Sequence, residues 1–119
     1  MRILLVEDDA FLSDLYKSQL EKAGHTVIQA FESSESISAI YDFKPDLVLL
    51  DLIMPRFTGM EVLKKIKAEK RLSSLNVIVL SNIKDNKIVN EAADLGAKGY
   101  IIKTSITPDQ ISEEVKKYL

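Results

Sequence analysis

The sequence contains no cysteine, which excludes disulfides, thiol nucleophiles and cysteine-ligated zinc. It also lacks a long apolar run. The opening stretch Arg2-Ile3-Leu4-Leu5-Val6 is too short for export or membrane crossing, and the other apolar runs are strand-length, far below the roughly 20 residues of a membrane helix. Neither sign of charge dominates: 16 basic and 18 acidic side chains leave a net charge of −2, so no nucleic-acid surface is expected, since such a surface is clearly basic. There is no linker, low-complexity tract or internal repeat. His25 is the only histidine, and at the start of a weak strand candidate it reads as a solvated turn residue, not a ligand or phosphodonor. What remains is 119 residues of ordinary globular composition, enough for one domain over residues 1–119 and too little for two. Without disulfides or a signal peptide, the expected location is cytoplasmic.

Four apolar runs stand out: Ile3–Val6, Leu47–Leu50, Val77–Leu80 and Tyr100–Ile102. They do not alternate with polar residues, which suits strands buried on both faces of a parallel sheet. Thr26–Ala30 is more mixed and reads as an edge strand. Amphipathic helical patterns lie between the runs. Leu12, Leu15, Tyr16, Leu20 and Ala23 recur at helical spacing before a stop at Gly24. Ile37, Ile40 and Tyr41 mark a second helix, closed by Lys44-Pro45. Val62, Leu63 and Ile66 mark a third, opened by the capping-box pattern Thr58-x-x-Glu61. Ile88, Val89, Ala92 and Leu95 mark a fourth between Asp85 and Gly96. The fifth opens with Thr107-Pro108-Asp109-Gln110, an N-cap with proline at the first helical position, and carries Ile111, Val115 and Leu119 as its inner stripe. Strand and helix thus alternate five times. That predicts an α/β fold of three layers, a doubly wound (βα)5 parallel sheet of five strands with right-handed crossovers. The chain ends with the fifth helix, so no output domain is expected within it.

In such sheets the site lies beyond the carboxyl ends of the strands. Glu7, Asp8 and Asp9 follow the first strand, Asp51 the third, Ser81 the fourth and Lys103 the fifth. Crowded carboxylates need a cation, and Mg2+ is held by one or two carboxylates together with waters and a phosphate. A carboxylate is also a nucleophile that can form an aspartyl-phosphate, and phosphoryl transfer needs its equatorial oxygens neutralised. The ion, the Lys103 ammonium and the Ser81 hydroxyl with nearby N–H groups would each take one oxygen. Singly, these residues have plainer readings: Asp9 an N-cap, Asp51 a turn residue, Ser81 a loop residue, Lys103 a solvated charge. Their convergence from four strands is what the plainer readings do not explain. Lys64, Lys65, Lys67, Lys70 and Arg71 around the third helix read as a solvated face, and Met54 and Met60 as packing residues.

Val6-Glu7-Asp8-Asp9, Asp51-Leu52-Ile53-Met54-Pro55 with Gly59, and Leu95-Gly96-Ala97-Lys98-Gly99-Tyr100-Ile101-Ile102-Lys103 together resemble the response-regulator receiver domain of two-component signalling, over essentially the whole chain. The resemblance implies a flavodoxin-like fold with strand order 2-1-3-4-5. It implies phosphorylation of Asp51 by a histidine kinase or phosphotransfer protein, and Mg2+ bound by Asp8, Asp9, Asp51 and the backbone carbonyl of Ile53. Ser81 and Tyr100 occupy the family's switch positions: phosphate draws the Ser81 hydroxyl inward and Tyr100 follows. The face of helix four, strand five and helix five then changes shape for a downstream effector, or for a homodimer partner. Such a domain catalyses only its own phosphoryl transfer and autodephosphorylation, and binds neither nucleic acid nor membrane.

The sequence departs from this pattern at three places. Thr104 follows Lys103 where the family commonly has a cis-bonded proline, so the loop holds either a non-proline cis bond, costing roughly 2.5–4 kcal/mol, or another path. Asn82 stands where a small residue is common. Ile53 and Ile83 are apolar at positions that influence phosphate loss, so a long-lived phosphoform is expected. Three competing readings remain at this level. A flavodoxin-type cofactor binder would need a phosphate-receiving loop, where this chain has Glu7-Asp8-Asp9. A haloacid-dehalogenase-type phosphatase would need an acid two residues after its nucleophile, where this chain has Ile53. A pseudo-receiver would act as a binding module without phosphate.

Overall fold

β1 (Arg2–Val6), β3 (Leu47–Leu50), β4 (Asn76–Ser81) and β5 (Gly99–Ile102) form where the four apolar runs fall, and β2 (Thr26–Ala30) where the mixed one does. The structure, a computed structural model, describes residues 1–53 and 58–119. All pairings are parallel and the strand order is β2-β1-β3-β4-β5. The helices are α1 (Ala10–Lys22), α2 (Ser36–Phe43), α3 (Gly59–Ala68), α4 (Asn86–Asp94) and α5 (Ile111–Lys116).

The period-two alternation of side chains divides each strand between two cores. Leu4 and Val6 of β1 face Ile40 of α2, Val62 and Ile66 of α3 and Ala92 of α4. Ile3 and Leu5 face Tyr16 and Leu20 of α1 and Ile111 and Val115 of α5. Helices therefore cover both faces, which is why the strands lack polar alternation. Each fully buried Leu, Ile or Val side chain contributes roughly 1.5–3 kcal/mol of transfer free energy.

The helix boundaries follow local chemistry. Asp9 caps α1 by accepting the Leu12 N–H at 3.1 Å. Thr58 caps α3 from the Glu61 N–H at 3.4 Å. Asp85 caps α4 from the Lys87 N–H at 2.8 Å. The Thr107 N–H donates to Gln110 Oε1 at 2.8 Å with Pro108 at the first position, opening a 3-10 turn that leads into α5. Four residues expected on the inner stripes lie exposed: Leu15, Ala23, Tyr41 and Leu119. α5 stops at Lys116, so Leu119 is 51% exposed, and Tyr118 packs against the core in its place. On α1 Leu15 is exposed, while the small Ser13 is buried and accepts from Gln29 Nε2 at 2.9 Å. Ser13 shares the buried face of α1 with Tyr16 and Leu20, and the bond from Gln29 satisfies its hydroxyl there. His25 is half-buried, with Nδ1 3.0 Å from the Met1 amine. Around α3, Lys64 pairs with Glu91 at 3.8 Å and Arg71 with Glu69 at 3.7 Å, both pairs exposed. No helix among the described residues is long and apolar enough to cross a membrane.

Candidate functional site

Strand order reverses between β1 and β3: from β1 the chain moves first to β2 on one side and then to β3 on the other. The crevice expected at such a reversal lies beyond the carboxyl ends of those two strands. Val6 pairs with Leu50, so Glu7 and Asp51 leave the sheet side by side. Main-chain bonds hold both: Glu7 N–H to the Ala30 carbonyl at 3.0 Å, and Asp51 N–H to the Val6 carbonyl at 3.0 Å.

Asp51 is 4% exposed. Its Oδ1 accepts the Ile53 N–H at 3.1 Å and its Oδ2 accepts from Lys103 Nζ at 3.0 Å. Gly59 makes room for this loop. A Cβ on Gly59 would sit 2.0 Å from the Asp51 carbonyl oxygen, and the Gly59 N–H donates to the Leu52 carbonyl at 3.1 Å. Only a residue without a side chain allows α3 to start this close to the aspartate. Met54-Pro55, the middle of the expected phosphoacceptor loop, lies outside the described residues, as does the packing role read for Met54.

The acidic triplet divides its roles differently from the sequence expectation. Glu7 is 1% exposed and ion-pairs with Lys103 through Oε1, while its Oε2 accepts the Asp9 N–H at 3.3 Å. Carboxylate oxygens of Glu7, Asp8 and Asp51 all lie within 4.8 Å of one another. Asp8 is therefore in the cluster as expected, but its neighbour there is Glu7. The Asp9 carboxylate instead caps α1. The physical reason is the helix start: with α1 beginning at Ala10, the preceding residue turns its side chain back onto the first turn. The readable signal for Glu7 was its place flush with the end of β1.

Ser81 ends β4 with 0% exposure, and its Oγ accepts the Ile83 N–H at 3.2 Å. The Tyr100 ring, half-buried on β5, packs against the α2–α3–α4 core and donates its hydroxyl to the Ile83 carbonyl at 2.8 Å. The tyrosine already points inward in this structure. Burial raises the Tyr100 phenol pKa; the Ser81 hydroxyl opposes that shift and the Asp51 charge adds to it. Ile83 packs against the same core, whereas Ile53 is 59% exposed beside Asp51.

The departure after Lys103 resolves as the other path. No peptide among the described residues is cis, and Lys103–Ser105 forms a 3-10 turn. The Lys103 ammonium still reaches both Glu7 and Asp51.

Electrostatically the cluster is under-neutralised. Burial, the largest influence, lifts the Glu7 pKa from 4.5 to about 7 against the lowering effect of Lys103, and the Asp51 charge adds to the rise. Burial alone would lower the Lys103 pKa, but its hydrogen bonds to Glu7 and Asp51 prevail and raise it. Tyr16, on α1, is buried within electrostatic reach of all three; its phenol pKa is raised mainly by burial. With all three carboxylates ionised, the single ammonium leaves two negative charges in excess, which one divalent cation balances. The donors are all hard oxygens, as Mg2+ requires. The chemistry of the residues thus fits a magnesium site.

Residues 3–116 match the family model described as the response regulator receiver domain. The chain is 32% identical over 117 residues to the chemotaxis protein CheY of Thermotoga maritima, covering 98% of this chain and 95% of that protein. It is 31% identical over 119 residues to the phosphate regulon transcriptional regulatory protein PhoB of Pseudomonas aeruginosa, covering 98% of this chain and 51% of that protein. Among solved structures, the Mn(2+)-bound form of response regulator Rcp1 superposes with a TM-score of 0.85 at 26% identity, covering 98% of this chain and 92% of that one. The chain spans about half the length of the transcriptional regulators it resembles.

Proposed function

Because the chain belongs to the response regulator receiver family, we propose that it takes a phosphoryl group on Asp51 in a Mg2+-dependent reaction and relays that event to a partner. The observation that carries this reading is the buried Asp51 carboxylate, held between the Lys103 ammonium and the carboxylates of Glu7 and Asp8. A buried carboxylate so placed is a fixed nucleophile, and the lysine lies where negative charge grows.

An oxygen of Asp51 attacks phosphorus, forming an acyl-phosphate bond. The donor's bond to phosphorus breaks, and the leaving group departs with that electron pair. Lys103 turns part of its hydrogen bonding from the carboxylates to the arriving phosphoryl oxygens. The Ser81 hydroxyl, now held by the Ile83 N–H, donates to another. Glu7, Asp8, Asp51 and the Ile53 carbonyl would hold Mg2+, which supplies charge neutralisation for the transferring group. Asp9 serves this set indirectly, by fixing the start of α1 and by its N–H bond to Glu7. The donor is a histidine kinase or phosphotransfer protein, and the setting cytoplasmic.

Movement of Ser81 would change the Ile83 segment, and through its carbonyl the hydroxyl of Tyr100. That chain of contacts supports a switch reaching α4, β5 and α5, the face expected to meet an effector or a second copy. The phosphoform must interact differently with the two states for any population to shift. The domain performs no turnover beyond its own phosphorylation and dephosphorylation. Incubation with a small phosphodonor, with and without a chelator, tests the reading on a phosphate-affinity gel. A Mg2+-dependent shifted band is expected; a band equally strong in chelator would overturn the metal requirement.

A further inference from the structure

Asn82 and Thr104, two of the positions at which this sequence departs from the pattern of its family, touch each other. The Thr104 N–H donates to Asn82 Oδ1 at 3.0 Å. Asn82 follows Ser81, and Thr104 follows Lys103. The pairing of β4 with β5 ends at Ser81 opposite Ile102, so this bond adds one rung, built from a side chain, beyond the last main-chain pair. A proline at 104 would have no N–H to offer. Threonine does, and the asparagine supplies its acceptor. With the Lys103–Thr104 peptide trans and the chain turning at once into Lys103–Ser105, the bond pins the backbone at the residue adjoining the lysine.

We propose that Asn82 is a positioning residue for Lys103. Acting through the Thr104 main chain, it fixes where the lysine side chain leaves the sheet and keeps the ammonium on Glu7 and Asp51. The same bond ties the segment after Ser81 to the segment after Lys103. The two groups expected to receive phosphoryl oxygens are then held in one frame. The claim about Lys103 placement stands on these contacts; its kinetic consequence rests on Asp51 being the phosphoacceptor.

The test uses Asn82→Ala, Thr104→Pro, the double variant, and Asn82→Asp, which keeps an acceptor oxygen. Two readouts apply: solvent exchange of the Lys103 ammonium protons by NMR in the unphosphorylated protein, and the rate of phosphoryl uptake from a small phosphodonor with Mg2+. In Asn82→Ala, exchange is expected to quicken and uptake to slow, each by about 3–10-fold, the scale of one hydrogen bond. Asn82→Asp should return exchange to near the wild-type value. The double variant should be no slower in uptake than the slower single, because both singles remove one shared bond. Wild-type ammonium exchange in Asn82→Ala, or single effects that simply multiply in the double variant, would overturn the proposal. If the wild type takes up no phosphoryl group, the phosphoacceptor reading fails, and ammonium exchange alone decides the positioning claim.

Discussion

The Lys103 ammonium donates to Asp51 Oδ2 at 3.0 Å across 52 residues of sequence, with both side chains largely buried. The same ammonium pairs with Glu7. Removing it leaves two buried carboxylates facing each other, and breaking a buried pair from one side costs about 3–5 kcal/mol. Lys103→Met should therefore lower the unfolding free energy of the metal-free protein by about 3 kcal/mol at neutral pH. Much of the loss should return in Mg2+. Urea unfolding with chelator and with Mg2+ measures both.

Glu7 gives the metal-free protein a pH dependence of definite sign. Its pKa in the fold, raised by burial to about 7, exceeds the ordinary 4.5. The folded state then holds a proton that the unfolded state has released. This contribution to stability is fully present below about pH 4.5 and is lost as pH rises through about 7. Binding Mg2+ should displace the proton, so affinity should climb over the same range and the pH dependence should flatten. Urea midpoints from pH 4.5 to 8 in chelator and in Mg2+, with proton release followed by calorimetry in two buffers, check the sign.

Gly59 and Gly24 make a matched pair of tests. A Cβ on Gly59 meets the Asp51 carbonyl oxygen at 2.0 Å, whereas one on Gly24 meets nothing within 4 Å. Gly59→Ala should destabilise by about 3 kcal/mol, the upper range for overpacking, and should impair phosphoryl uptake. Gly24→Ala, strained only by its φ of +95°, should cost about 1 kcal/mol and leave uptake unchanged. Denaturant curves and uptake rates on the two variants separate crowding at the site from simple destabilisation.

Ile53 and Ile83 differ in exposure, so their effects on the phosphoform should differ. Ile53 is 59% exposed beside Asp51, while Ile83 packs against the core. Ile53→Asn should shorten the phosphoform half-life by about fivefold, roughly one hydrogen bond to an attacking water. Ile83→Asn should cost stability as well. Equal half-lives for wild type and Ile53→Asn, followed by loss of the phosphoprotein band, would remove the shielding role of this side chain.

The sheet was legible because a doubly buried parallel strand has a distinctive composition, and Leu47–Leu50 and Val77–Leu80 are nothing but apolar residues. The convergence on Asp51 followed from strand ends alone. The division of labour within Glu7-Asp8-Asp9 was harder to read, since three adjacent acids have the same chemistry and differ only in geometry. The start of α1 at Ala10 commits Asp9 to the cap, and the end of β1 at Val6 commits Glu7 to the interior. Leu119 misled because a helical stripe does not reveal where the last turn stops. The Asn82–Thr104 contact joins residues 22 apart through a side chain, and periodicity carries no trace of such a bond.

Intact-mass measurement after incubation with a small phosphodonor and Mg2+, on wild type and Asp51→Asn in parallel, tests the central claim most directly. One added phosphoryl group on the wild type and none on the variant is the predicted result. No adduct on the wild type, or an adduct that survives the substitution, would contradict it.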